Sequence, residues 1–183
     1  QITTKQNADK KLTSEQMTAL KNIEIAQHQG KQKFLLYGVT GSGKTQIYIE
    51  MALKARALGK QALILVPEIV LTGQLVTSFK EYFTDDVAVI HSRLSIGERN
   101  DTFWRIRTKQ VGIIIGARSA LFAPFEDLGL IVMDEEHDPS YKQDESPRYH
   151  SHDIIEKMAE IYHATLIMGS ATPSLESYYK AQI

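Results

Sequence analysis

The chain has 183 residues, 43% apolar and 23% charged, and its 21 Lys and Arg against 22 Asp and Glu leave a net charge of −1. That length suits one domain with a single buried core, and the near-neutral balance offers no strong global attraction to nucleic acid. The lack of cysteine excludes disulfides and thiolate metal sites, which fits a reducing cytosol, and no apolar run approaches the ~20 residues of a membrane span.

Segment 1–11 is polar, with neither an initiator Met nor the apolar stretch of a signal peptide. It is expected to be a linker, and the chain a fragment of a longer protein. A helix is expected over 14–29, beginning at Ser14 with Met17 and Leu20 on one face. The apolar run Lys33-Phe34-Leu35-Leu36-Tyr37 predicts a strand over 33–38. Directly after it comes Gly38-Val39-Thr40-Gly41-Ser42-Gly43-Lys44-Thr45, which matches the phosphate loop G-x-x-x-x-G-K-[ST], and then a helical pattern over 44–58. Glycines let such a loop turn its N–H groups inward to cradle a di- or triphosphate. Lys44 would reach the terminal phosphates, and the Thr45 hydroxyl would ligate Mg²⁺.

A strand over 61–66 and a helix over 69–83 follow, then a strand over 87–90. Between His91 and Arg118 lie six basic residues, Arg93, Arg99, Arg105, Arg107, Lys109 and Arg118, against Glu98 and Asp101. They include the helix expected over 96–109, and charge alone leaves open a phosphate-binding face or a solvated helix surface. Strands are expected at 112–116 and 129–134; continuous apolar runs such as Ala62-Leu63-Ile64-Leu65-Val66 indicate burial on both faces. Asp134-Glu135-Glu136-His137 leaves the last of these, at the sheet edge where α/β folds bind ligands. There Asp134 would hold the metal and Glu135 orient or deprotonate a water. Segment 137–150 is long and irregular, which marks a functional or disordered loop. A helix over 151–162, a strand over 164–169 and a helix over 174–182 complete an α/β domain with a mostly parallel sheet and helices on both faces.

Several blocks resemble one family. They are Leu12-Thr13-Ser14-Glu15-Gln16, the phosphate loop, Val66-Pro67-Glu68-Ile69 with Leu71-Thr72, and His91-Ser92 with Gly97-Glu98-Arg99. To these add Ile115-Gly116-Ala117-Arg118-Ser119-Ala120-Leu121-Phe122, the Asp-Glu-Glu-His block, and Gly169-Ser170-Ala171-Thr172-Pro173-Ser174. From Leu12 to Ser174 the chain resembles the first RecA-like motor domain of the primosomal protein N′ (PriA) family of bacterial replication-restart helicases, in superfamily 2. The resemblance implies ATP and Mg²⁺ as cofactors, with Lys44, Asp134, Glu135 and His137 catalytic. It implies nucleotide contacts from Gln16, which would read the adenine edge, and from Gly38, Thr40, Gly41, Ser42, Gly43 and Thr45, with Thr45 and Asp134 on the metal. Thr72 and Arg118 match segments that touch the DNA backbone, a core-edge ion pair being the other reading of Arg118. Ser170 and Thr172 match the motif coupling phosphate state to domain movement.

The loop to His152 is similar to the family's aromatic-rich loop, with Tyr141, Lys142, Arg148 and Tyr149 suited to stacking on bases and pairing with phosphates. The whole protein would then be a 3′→5′ helicase that reloads the replication machinery at stalled forks. Its implied partners are single-stranded and forked DNA, other primosome proteins and single-strand-binding protein, in the cytoplasm at the nucleoid, with no membrane. An ATP-gated docking module within the primosome is the alternative.

This chain departs from the family at His152 (commonly Arg), Gly73 (usually Pro) and Gln46 (commonly acidic). The family's zinc-binding cysteines and second motor domain are absent from this sequence, so zinc is expected only elsewhere in the full-length protein. With no arginine finger, worth roughly 10³–10⁵-fold in comparable enzymes, the domain alone is expected to bind nucleotide and hydrolyse it poorly. Other classes fit less well. Lys142-Gln143-Asp144 lacks the context of a guanine reader, a small-molecule kinase would lack the paired carboxylates, and His137, His150 and His152 lack the spacing of a zinc site.

Overall fold

The computed structural model describes residues 12–39, 41–71 and 73–173. The polar segment 1–11, Thr40, Thr72 and the helix expected at 174–182 lie outside the described residues. Helix α1 (Ser14–His28) opens on a reciprocal cap: Gln16 N donates to Thr13 Oγ1 (3.2 Å) and Thr13 N donates to Gln16 Oε1 (2.9 Å). Its inward stripe runs through Leu20 and Ile23. Met17, expected on that face, is 53% exposed, because the apolar stripe starts one turn later.

Among the described residues eight strands follow in chain order: β1 (Lys33–Tyr37), β2 (Gln61–Leu65), β3 (Val87–Ile90), β4 (Ile113–Gly116), β5 (Leu128–Met133), β6 (Lys142–Gln143), β7 (Tyr149–His150) and β8 (Thr165–Ser170). Six make one parallel sheet in the order β1-β8-β5-β2-β4-β3, and β6 with β7 forms a separate antiparallel ribbon. The remaining α-helices of the described residues are α2 (Lys44–Ala57), α3 (Gln74–Phe83), α4 (Ile96–Arg107) and α5 (Ser151–Tyr162). No helix of the described residues is long and apolar enough to cross a membrane.

The continuous apolar strands feed two cores. Along β2 and its extension, Ala62, Ile64 and Val66 pack with Ile47 and Met51 of α2 and Phe79 of α3. Leu63 and Leu65 point the other way, into the core that holds Ile106 of α4 and Ile155 of α5. Period-two alternation on a strand that is apolar at every position thus fills both layers, each side chain contributing about 1.5–3 kcal/mol. The third helix differs from expectation. A 3₁₀ turn (Glu68–Val70) comes first, and α3 starts only at Gln74, because Gly73 stands in extended backbone as its N-cap.

In the sheet Tyr37 pairs with Ser170, Leu65 with Met133 and Gly116, and Ile90 with Gly116. The parallel strands therefore finish side by side, and the phosphate loop, the acidic block and segments 91–95, 117–122 and 170–173 issue from one edge.

Gln61 pins the opposite edge. Fully buried at the start of β2, it donates through Nε2 to the carbonyls of Ile106 (2.8 Å) and Val111 (3.4 Å) and accepts at Oε1 from the amides of Glu126 (2.9 Å) and Asp127 (3.4 Å). One side chain serves two connections that lead into β4 and β5. Gln61→Leu keeps the bulk and strands those groups, at about 1–3 kcal/mol for each buried polar group left unmatched. At roughly 2–4 °C per kcal/mol in a domain of this size, calorimetry of the variant should show melting several degrees lower. An unchanged melting temperature would mean the loops satisfy themselves without Gln61.

Candidate functional site

Between β1 and α2 the backbone turns through Gly41 (φ 80°) and Gly43 (φ 81°), both left-handed. Gly43 is the N-cap of α2 and supplies no side-chain cap, so the first N–H groups of the helix point into the loop. Gln16 Nε2 donates to Gly43 O (3.1 Å), and a Cβ on Gly43 would stand 2.2 Å from that nitrogen. Position 43 thus needs glycine for its left-handed backbone angle, and any side chain there would displace the Gln16 amide. Both ends of the Gln16 amide are engaged, one in the cap of α1 and one on the loop, so the residue lashes α1 to the phosphate loop. One N–H of Nε2 and one lone pair of Oε1 are left beyond these two bonds. Lys44 is 8% exposed and its Nζ donates to Gly38 O (2.8 Å), which holds the ammonium over the loop.

Asp134 and Glu135 leave β5 across the same cleft of about 460 Å³, whose wall also includes Thr45, Gln74 and Ser78. Lys44 Nζ lies 4.0 Å from Glu135 Oε1. Glu135 has φ 48°, a left-handed conformation uncommon for a residue with a Cβ. It is held there by flanking bonds, Glu136 N to Gly169 O (3.0 Å) and Asp138 N to Glu135 O (2.8 Å).

Asp134 is gripped at two points. The Tyr48 hydroxyl donates to Oδ1 (2.8 Å) and the Tyr141 hydroxyl to the backbone carbonyl (2.7 Å). Tyr48, fully buried on α2, reaches the carboxylate only because Gly169 leaves room: a Cβ there would sit 1.7 Å from the phenol oxygen. Burial pushes the Asp134 carboxyl above its ordinary range. The Tyr48 bond and Lys44 oppose that push, while Glu135 adds to it. Both tyrosine hydroxyls are held well above theirs, by burial first and the Asp134 charge second.

His137 links the acidic block to β8. Its Nδ1 lies 2.8 Å from Ser170 Oγ and 3.7 Å from Glu135 Oε2, and its Nε2 lies 3.3 Å from Thr172 Oγ1. Ser170 Oγ accepts from Thr172 N (3.0 Å).

A family model described as DEAD/DEAH box helicase matches residues 13–181. The chain belongs to the DEAD/DEAH box helicase family. Among similar proteins, replication restart protein PriA of Bacillus subtilis (strain 168) is 52% identical over 172 residues, covering 93% of this chain and 21% of that protein. The Haemophilus influenzae protein of the same name is 47% identical over 176 residues, covering 96% of this chain and 24% of its own length. The chain therefore spans between a fifth and a quarter of these relatives. The Pyrococcus furiosus Hef helicase domain superposes with a TM-score of 0.60 at 20% identity, covering 91% of this chain and 34% of that one, a likeness of fold.

In this helicase domain the segment after His137 is built rather than irregular: a 3₁₀ turn (Pro139–Tyr141), then the β6–β7 ribbon, leading directly into α5. Tyr141, expected to stack on bases, is 2% exposed and packs in the core beneath the loop. The alternating aromatics hid that inward turn, since nothing in their spacing distinguishes a ring facing solvent from one anchored by Ser151 Oγ, which donates to Tyr141 O (2.8 Å). Arg118 lies in a 3₁₀ turn (Arg118–Phe122) and is no ion-pair partner among the described residues. Its Nη1 donates to the carbonyls of Ser140 and Lys142, on either side of Tyr141, and its Cζ stands 5.8 Å from the Tyr149 ring centroid. Lys142 pairs with Asp144 (2.9 Å), Arg148 Nε donates to Asp144 O (3.1 Å), and both are exposed. His152 Nε2 meets the buried Glu136 carboxylate at 3.1 Å, so the contact at this departure from the family is a carboxylate. Tyr48, Gln74 and Ser78 escaped the sequence reading because no motif marks them.

A carboxyl whose folded pKa is raised binds its proton more readily folded than unfolded, so it lowers stability at neutral pH and the penalty fades as pH falls through that folded value. Asp134→Asn keeps an acceptor for Tyr48 without the charge. Calorimetry should therefore find the variant melting above the parent at pH 7, with the gap narrowing towards the unfolded carboxyl range near about 4. A gap that widens on acidification would reverse the assignment.

Proposed function

We propose that this domain is the nucleotide-binding half of an ATP-dependent DNA motor acting in replication restart. The observation that carries the reading is convergence: the Lys44 ammonium, the uncapped start of α2 and the Asp134 and Glu135 carboxylates all border one cleft. An uncapped helix start suits phosphate oxygens. Two carboxylates beside a threonine, rather than a cage of three or more, suit Mg²⁺, which keeps waters and phosphate oxygens in its shell. Thr45 and Asp134 would hold the ion, with Tyr48 donating to Asp134 Oδ1 and so fixing the rotation of its carboxylate. Bound magnesium supplies charge neutralisation across the phosphates. Lys44 exchanges Gly38 O for a phosphate oxygen, and Glu135 takes the proton of the water that attacks the terminal phosphoryl group. Through Ser170 and Thr172, His137 is placed to respond when that charge changes.

The relatives' name, replication restart protein, supports the cellular role. DNA as the track, 3′→5′ movement, primosome partners and single-strand-binding protein, and a place in the bacterial cytoplasm at the nucleoid belong to the same proposal. An arginine finger from a second motor domain would supply roughly 10³–10⁵-fold in rate, so the domain by itself binds ATP and turns it over slowly.

Calorimetric titration of this domain with Mg·ATP tests the reading: Lys44→Ala should abolish measurable binding, and undiminished affinity would sink it. In the full-length protein Glu135→Gln should retain ATP binding and lose roughly 10²–10⁴-fold in turnover, the range for a general base.

The loop after the carboxylates is proposed to report DNA to the nucleotide site, since Arg118 holds both neighbours of Tyr141 and Tyr141 holds Asp134. Tyr141→Phe deletes only that hydroxyl. DNA affinity should stay at the parent level while DNA-stimulated ATPase falls; parental stimulation would leave Tyr141 a packing residue.

A further inference from the structure

Helix α3 contributes Gln74, Leu75 and Ser78 to the wall of the nucleotide cleft, which Thr45, Asp134 and Glu135 also line. Gln74 and Ser78 stand one turn apart, so their side chains share a stripe of the helix that Tyr82 continues a turn further on. Tyr82 is buried, and Gln46, the residue after Thr45, donates through Nε2 to its hydroxyl (3.2 Å). That bond ties α3 to the first turn of α2. It thereby sets the spacing between the helix that carries Thr45 and the one that carries Gln74 and Ser78.

Gln74 and Ser78 make no side-chain hydrogen bond among the described residues. Gln46, the other amide in the wall, is engaged by Tyr82 and by Glu50 Oε1 (3.2 Å). The cleft therefore offers two uncommitted neutral acceptors, both on α3. Magnesium dehydrates reluctantly and keeps several waters in an octahedral shell. Each such water is a donor strengthened by the ion's charge, and a shell inside a cleft needs acceptors on more than one side. Asp134 and Glu135 supply them beyond β5. On the α3 side an amide or hydroxyl oxygen can accept from a bound water without bringing a further negative charge to the ion.

We propose that Gln74 and Ser78 are positioning residues for the magnesium ion, accepting at Oε1 and Oγ from waters bound to it. The inference rests on the nucleotide reading of this cleft and extends the site to a helix outside the phosphate loop and the acidic block. Gln46 and Tyr82 hold that helix in place.

Calorimetric titration of the full-length protein with the β,γ-imido analogue of ATP, in EDTA and at rising free Mg²⁺, separates ion from nucleotide. The parent should bind more tightly as Mg²⁺ rises, with a midpoint that reports the affinity for the ion. Gln74→Leu and Ser78→Ala should each move that midpoint to higher Mg²⁺, roughly 10–100-fold, the cost of losing a partner of a metal-bound group. Affinity in EDTA should stay at the parent level, and Ser78→Thr, which keeps the hydroxyl, should retain the parental midpoint. Gln74 is exposed and Ser78 half-buried, so an unchanged melting temperature checks the fold of the variants. A variant with an unmoved midpoint, or with an equal loss in EDTA, would overturn the role of that residue while the nucleotide reading stands. If the parent binds the analogue without a gain from Mg²⁺, the role falls for both residues. If the parent does not bind it at all, the nucleotide reading falls as well.

Discussion

Asp134 is held from two directions by phenol hydroxyls that water does not reach. Tyr48 comes from the helix that begins at the phosphate loop, and Tyr141 from the loop that follows the acidic block. A carboxylate at the end of a central strand, half covered by protein, is costly unless its oxygens are bonded. The Tyr48 bond offsets part of that cost, the Tyr141 bond holds the backbone carbonyl of the same residue, and together they tie α2, β5 and the loop to one another. Gly169 belongs to the same arrangement, since any side chain there would occupy the space of the Tyr48 hydroxyl. The buried ring of Tyr48 thus ties the wall of the cleft to the packing of α2.

The parallel sheet brings the rest together. Strands in register finish at one edge, so residues from Gln16 to Thr172 meet there although the chain separates them widely. Arg118 stands between two halves of that edge. One nitrogen holds the backbone around Tyr141, and the residue also lines the cleft shared by Phe122 and Arg99.

Much of this was legible in the sequence. Strands buried on both faces read as unbroken apolar runs, and β1, β2 and β5 appear within a residue or so of where Phe34, Ile64 and Ile131 place them. The phosphate loop and the acidic block carry their chemistry in the residues themselves. What stayed hidden is direction. Tyr141 and Tyr149 sit in the same aromatic loop, yet one is core and the other half-buried beside a cleft, because Ser151 and Arg118 draw the backbone around Tyr141 inward. Phe122 reads as the end of an apolar stretch and is instead exposed. The late start of α3 likewise depends on how Gly73 turns, which its neighbours in sequence do not specify.

The backbone at Glu135 points to a signature of decay. A residue in left-handed conformation would be relaxed by glycine or asparagine, and the neighbouring buried charge would be relieved by an amide. Both changes favour the fold, and both remove groups assigned to hydrolysis. On the proposed reading of the site, a descendant of this domain that no longer hydrolysed nucleotide and was kept only as a structural part would drift towards Asn or Gly at position 135 and Asn at position 134. Its sheet, its phosphate loop and its melting temperature would look healthier than the parent's. Such a pair of substitutions, in a copy that is otherwise intact, would mark a domain of this fold that has given up the proposed hydrolysis.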